Sequence, residues 1–124
     1  MEIRKENING KEFLFVNEWA STRNGFKHTS TLFINGYEYQ KSTCHYINRT
    51  WENYAFQTVM LHAIEDLKSK LYKRALYIYK SKNNITRLTK SKREDFENNH
   101  LLQTNEGLYN ELNDLRTIIR GNVW

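Results

Sequence analysis

Apolar and polar positions follow two different periods along this chain, and the switch between them falls close to residue 50. Before it, short runs of aromatic and β-branched residues alternate with polar ones, which is the period of a half-buried strand. Residues 11–19 (KEFLFVNEW) predict a first strand, and Asn24-Gly25 a turn after it. Residues 26–34 (FKHTSTLFI) predict a second strand. Asn35-Gly36 suits a two-residue type I′ turn, because both central positions of that turn need positive φ. Residues 37–47 (YEYQKSTCHYI) then form a third strand, completing a three-stranded antiparallel β-meander.

After Asn48-Arg49-Thr50 the period lengthens. Asn48 or Thr50 is placed to cap a helix, and Glu52 complements its dipole. The helix is expected over residues 51–82. Ile64, Leu67, Leu71, Ala75 and Ile78 recur at three- and four-residue spacing and mark its apolar face. At 100° per residue, Lys70, Lys73, Arg74 and Lys80 fall on the opposite side, with Tyr77 among them. The crowded aromatic start (Trp51, Tyr54, Phe56, Val59) reads as the place where helix and sheet share a core. Asn83-Asn84 suits a break, and Ser91 followed by Glu94 resembles a capping box. Phe96, Leu101, Leu102, Leu108, Leu112, Leu115 and Ile119 suggest one or two C-terminal helices, with a break near Thr104-Asn105 and an end at Gly121. The expected fold is therefore α+β in one domain, residues 1–124. Its parts are a meander (1–47), a long basic helix (48–82), a connector (83–93) and a helical tail (94–124).

Charge sharpens this picture more than composition does. A hydrophobic fraction of 39% and an aromatic fraction of 14% suffice for a core. No apolar run is long enough to cross a bilayer, and the first residues lack the apolar stretch of a signal peptide, so a cytoplasmic protein is expected. The net charge of +5 is unevenly spread. Residues 68–93 hold Lys68, Lys70, Lys73, Arg74, Lys80, Lys82, Arg87, Lys90, Lys92 and Arg93 and no acid; residues 94–124 are acidic. Such polarity steers partners. The candidate partner-binding or nucleic-acid-binding residues are Lys70, Lys73, Arg74, Tyr77, Lys80, Lys82, Arg87, Lys90, Lys92 and Arg93. Lysine and arginine neutralise phosphates, and an exposed tyrosine among them stacks on a base. Four destinations stay open for this surface: nucleic acid, an acidic protein surface, the acidic tail of the same chain, or water alone as a solvated face. The tail leucines (Leu101, Leu108, Leu112, Leu115) also suit a homodimer interface.

Catalytic chemistry finds less support. With a two-residue loop at Asn35-Gly36, Ile34 pairs with Tyr37, His28 with Thr43 and Lys27 with Cys44. Cys44 then points away from His28 and His45, although a one-residue slip would reverse that. Cys44 is expected to be a small packed thiol; being the single cysteine, it excludes an internal disulfide. His28 and His45 would share a face as diagonal neighbours, but no third ligand completes a zinc site. A Gly-rich phosphate loop and an HExxH helix are missing from the sequence. Binding without catalysis, and without a cofactor or metal, is the expectation.

Asn48-Arg49-Thr50-Trp51-Glu52, followed by Phe56-Gln57, resembles a motif of small accessory proteins of phages and other mobile elements, in which a strand leads through Asn-Arg-Thr-Trp-Glu into an aromatic-rich helix. The resemblance covers about the first half of the chain, from Asn24-Gly25 onward. It implies no catalytic residues. It implies a compact cytoplasmic antagonist of host defence, such as an anti-CRISPR protein, which would bind a CRISPR effector nuclease or its guide RNA and block assembly or DNA loading. A small DNA- or RNA-binding regulator is the alternative.

Overall fold

Four strands, not three, make the sheet in the computed structural model, which describes residues 1–121. They are β1 (Glu2–Ile8), β2 (Lys11–Thr22), β3 (Gly25–Ile34) and β4 (Tyr37–Tyr46), antiparallel throughout and in sequence order. The added strand β1 carries Ile3 and Ile8 on opposite faces and charges between them, so it shows no apolar alternation. Its signal is the turn behind it: Asn9 (φ 51°) and Gly10 (φ 78°) form the same left-handed pair as Asn35 (φ 50°) and Gly36 (φ 85°). The middle turn sits one residue earlier than Asn24-Gly25, because Thr22 pairs with Gly25. Gly25, at φ 149°, lies so close to the carbonyls of Tyr46 and Ile47 that a Cβ would collide with them.

The register of the last hairpin departs from expectation in one place. Ile34 pairs with Tyr37 and Phe33 with Glu38, but Leu32 pairs with Gln40. Tyr39 is the extra residue of a β-bulge. Everything beyond it moves by one, so His28 stands opposite Cys44 and Lys27 opposite His45. This overturns the separation of Cys44 from His28 expected above; it is His45 that lies on the other face.

One face of the sheet is covered. Phe13, Phe15, Leu32 and Ile34 pack against α1 (Glu52–Lys82) and α3 (Leu108–Gly121) through Phe56, Val59, Met60, Ile64, Leu67, Leu112, Leu115 and Ile119. Burying each such side chain contributes roughly 1.5–3 kcal/mol. None of the described helices is long and apolar enough to cross a membrane. Lys11 on β2 ties α3 to the sheet by a 2.6 Å ion pair with the buried Glu111.

The second half of α1 meets a different cluster. Ala75 and Tyr79 pack with Phe96 and Leu101, supported by Tyr72, Leu76, Ile85 and Leu88. Phe96 is held edge-on by Tyr72 (5.4 Å) and lies 5.3 Å from Tyr79. Phe96 and Leu101 lie on the turns that follow α2 (Lys90–Asp95), one π-helical (Phe96–His100) and one 3-10 (Leu101–Gln103), and Ile85 and Leu88 on the connector before it. The break after Gln103 appears as expected, with Asn105, Glu106 and Gly107 all at positive φ. Leu101, Leu108, Leu112 and Leu115 are buried within the chain, where they serve its own core.

Several local expectations change. Trp51, not Asn48 or Thr50, is the N-cap of α1, and no side chain caps that end; the Thr50 hydroxyl turns back to the carbonyl of Asn48. Trp51 and Tyr54 are exposed, while Phe56 and Val59 are fully buried. Thr89 caps α2 by accepting from Lys92 N–H, in place of Ser91. Tyr79 takes the buried position, and Ile78 is 43% exposed; Tyr79 reaches Asp95 with its hydroxyl at 2.8 Å, an anchor isoleucine cannot make.

Candidate nucleic-acid interface

The middle turns of α1 lie beside the open edge of the sheet, and there the chain gathers cations and aromatic rings. Lys70 and Arg74 are four residues apart and share one side of the helix. Lys70 Nζ donates to Gln40 Oε1 of β4 at 2.7 Å. Arg74 lines a cleft of about 540 Å³ with Tyr37, Tyr39, Asn105 and Glu106. Tyr37 and Tyr39, two residues apart, both line this cleft, and the extra residue of the bulge brings Gln40 opposite Leu32, on the covered face of the sheet, where Lys70 reaches it.

Tyr77 lies one turn beyond Arg74 and is 74% exposed. Tyr37 (75%) and Tyr39 (44%) are exposed as well. Lys73 and Arg74 are exposed on the same side of α1, and Lys80 is half-buried beside the connector, whose Ile85 N–H returns to the Lys80 carbonyl. A flat, amphipathic ring next to a guanidinium suits a nucleotide base and its phosphate together.

Not every expected residue joins this group. Lys82 turns toward another groove, lined by Ile78, Tyr79, His100 and Gln103. Arg87 sits in the connector, and Lys90, Lys92 and Arg93 lie on α2, which buries none of its residues. These four form a second, separate basic segment. Lys68 belongs to neither: it is buried, 5.2 Å from the Tyr109 ring centre and 3.9 Å from Glu65. Burial lowers its pKa, and Glu65 opposes that.

The acidic tail does not neutralise the basic block. Among the described residues, no ion pair joins residues 70–93 to the acids that follow them. Tyrosines take those acids instead. Tyr72 donates to Glu97 (2.9 Å) and Tyr79 to Asp95 (2.8 Å). The Asp95 carboxyl is held below its usual range by hydrogen bonds from Asn99 and Tyr79, and the Tyr79 hydroxyl is pushed up by the same bond to Asp95. Asp95 and Glu97 thus accept from neutral tyrosines, and the cations of α1 from Lys70 onward have no acidic partner among the described residues.

Sequence reasoning missed Tyr37 and Tyr39, because their place beside Arg74 follows from how α1 packs along β4, which has no local signature. Cys44 is half-buried against the core, and burial followed by the nearby Asp66 charge raises its thiol pKa. It therefore stays protonated and weakly nucleophilic at neutral pH, even facing His28. No family model, curated protein or solved structure matches the chain.

Proposed function

We propose that the protein acts by binding a nucleic-acid strand across the middle of α1 and the β4 edge. Lys70, Lys73, Arg74 and Lys80 take phosphates there, and Tyr37, Tyr39 and Tyr77 stack on bases. The observation that carries this reading is the row of cations on α1, Lys70, Lys73 and Arg74 exposed and Lys80 half-buried, without acidic partners among the described residues and flanked by three exposed tyrosines. In keeping with the mobile-element resemblance of Asn48-Arg49-Thr50-Trp51-Glu52, the strand is the guide RNA of a CRISPR effector nuclease. Occupying it blocks effector assembly or DNA loading, as an anti-CRISPR inhibitor does. A direct DNA- or RNA-binding regulator would use the same surface, but would bind free strands as tightly as the effector complex.

The test is a cleavage assay with purified effector, guide and target DNA. The protein is added before or after guide loading. Inhibition that is strongest before loading, and lost in Lys73→Glu/Arg74→Glu, supports the reading. Undiminished cleavage at saturating protein contradicts the inhibitor assignment. Tight binding to free RNA without any effect on cleavage selects the regulator.

A further inference from the structure

At the other end of α1, roughly 30 Å along its axis from Arg74, a cleft of about 480 Å³ lies between the helix start and the β2–β3 hairpin. It is lined by Trp19, Phe26, His28, Arg49, Trp51 and Glu52, among others. Its features point the same way from independent directions. The first-turn N–H groups of α1 have no side-chain cap, so this 31-residue helix presents unsatisfied donors and the positive end of its dipole at the rim. Arg49 beside them is exposed and has no acidic partner among the described residues. Trp19 and Trp51 are 45% and 59% exposed, an unusual outlay of apolar ring in water, and Trp19 is propped by Phe26 at 6.0 Å. On the inner wall lies His28, only 4% exposed, with its Nδ1 buried and unpartnered. Its ring is wedged edge-on between Tyr46 (5.3 Å) and Phe56 (5.5 Å). A buried polar atom left without a partner is costly, and His28 is one of the residues lining this cleft.

We infer that this cleft binds a nucleoside phosphate: the base stacks on the exposed tryptophans, the phosphate sits on Arg49 and the free N–H groups of α1, and Glu52 accepts from the ribose hydroxyls. Opposite charges side by side suit a ligand that carries an anion at one end and hydroxyl donors at the other. A bare anion would leave Glu52 repelling it and the rings unused. An acidic peptide would use Arg49 but offer the tryptophans no flat face. The nucleoside phosphate is either a free mononucleotide or the phosphorylated end of a strand. This site is separate from the α1 stripe, and it stands or falls independently of it.

Calorimetric titration of the full-length protein tests this with three probes: the four nucleoside monophosphates, inorganic phosphate, and a short oligonucleotide with or without a 5′-phosphate. Saturable mononucleotide binding is expected, weakened roughly five- to a hundredfold by Trp19→Ala or Arg49→Ala. Trp19→Phe, which keeps a ring, should retain most of the affinity. Lys73→Glu/Arg74→Glu should leave it unchanged, which separates this site from the nucleic-acid interface. Binding only of the 5′-phosphorylated oligonucleotide, with the same dependence on Arg49, supports the site and identifies a strand end as its ligand. Inorganic phosphate binding as tightly as the mononucleotides would overturn the assignment. So would the absence of any heat with all probes, or binding that survives the Trp19→Ala/Arg49→Ala double variant.

Discussion

His28 shows how one buried polar residue shapes solution behaviour. Burial holds its pKa below the ordinary imidazole value of about 6.5, and the Glu52 charge opposes this without reversing it. The folded state therefore binds the proton less readily than the unfolded chain. The contribution to stability is full above about pH 6.5 and is lost as pH falls from there toward the folded pKa, at no more than about 1.4 kcal/mol per pH unit. Urea unfolding between pH 7.5 and 5 should show wild-type stability falling more steeply than that of His28→Gln. Equal slopes would mean that His28 does not titrate in this window. The ion pair of Lys11 and Glu111 is a second residue-scale test. Glu111 is almost wholly enclosed, whereas Lys11 reaches solvent. Lys11→Met strands a buried carboxylate and should cost about 2–4 kcal/mol; Glu111→Gln strands a better-solvated ammonium and should cost about 1–2 kcal/mol. The reverse order in denaturant titration would contradict this. At this scale the sequence was only partly legible. The helical period places Tyr77 outside correctly, yet the same period exchanges Ile78 and Tyr79, because a partner 16 residues away rewards a hydroxyl.

Among the elements, the long helix and the Asn35-Gly36 hairpin were readable because each rests on local chemistry: a sustained period in one case, two left-handed residues in the other. β1 was not, because an edge strand with charges on both faces lacks apolar alternation, and only Asn9-Gly10 betrays it. The bulge at Tyr39 was hidden as well, since it is chosen by the fit of a whole strand to its neighbour. Its consequences run along β4: it sets His28 opposite Cys44 and Gln40 opposite Leu32, where Lys70 reaches it. Gly25 is the corresponding constraint at the far end of the sheet. Gly25→Ala should destabilise by about 2–4 kcal/mol, combining a left-handed φ with a collision against the Tyr46 and Ile47 backbone. A neutral thermal shift would show that β3 and β4 can separate there without loss. Tyr39→Ala should leave the melting temperature nearly unchanged and weaken strand binding by roughly five- to a hundredfold. Unchanged binding would remove Tyr39 from the interface.

For the molecule as a whole, the charge polarity seen in the sequence survives folding in altered form. The cations divide into a stripe on α1 and a separate group from Arg87 to Arg93. Three of the tail acids, Glu97, Asp95 and Glu111, are spent on Tyr72, Tyr79 and Lys11. The polarity was legible from composition; the division was not, because it follows from where α1 ends and the connector and α2 begin. The most direct measurement is the affinity of the protein for single-stranded RNA as salt is raised. About four phosphates held by the stripe give a slope of log K against log salt of about −3. Lys73→Glu/Arg74→Glu should flatten that slope and abolish binding at physiological salt. Affinity independent of salt, or unchanged in the charge-reversed variant, would contradict a phosphate-binding role for α1.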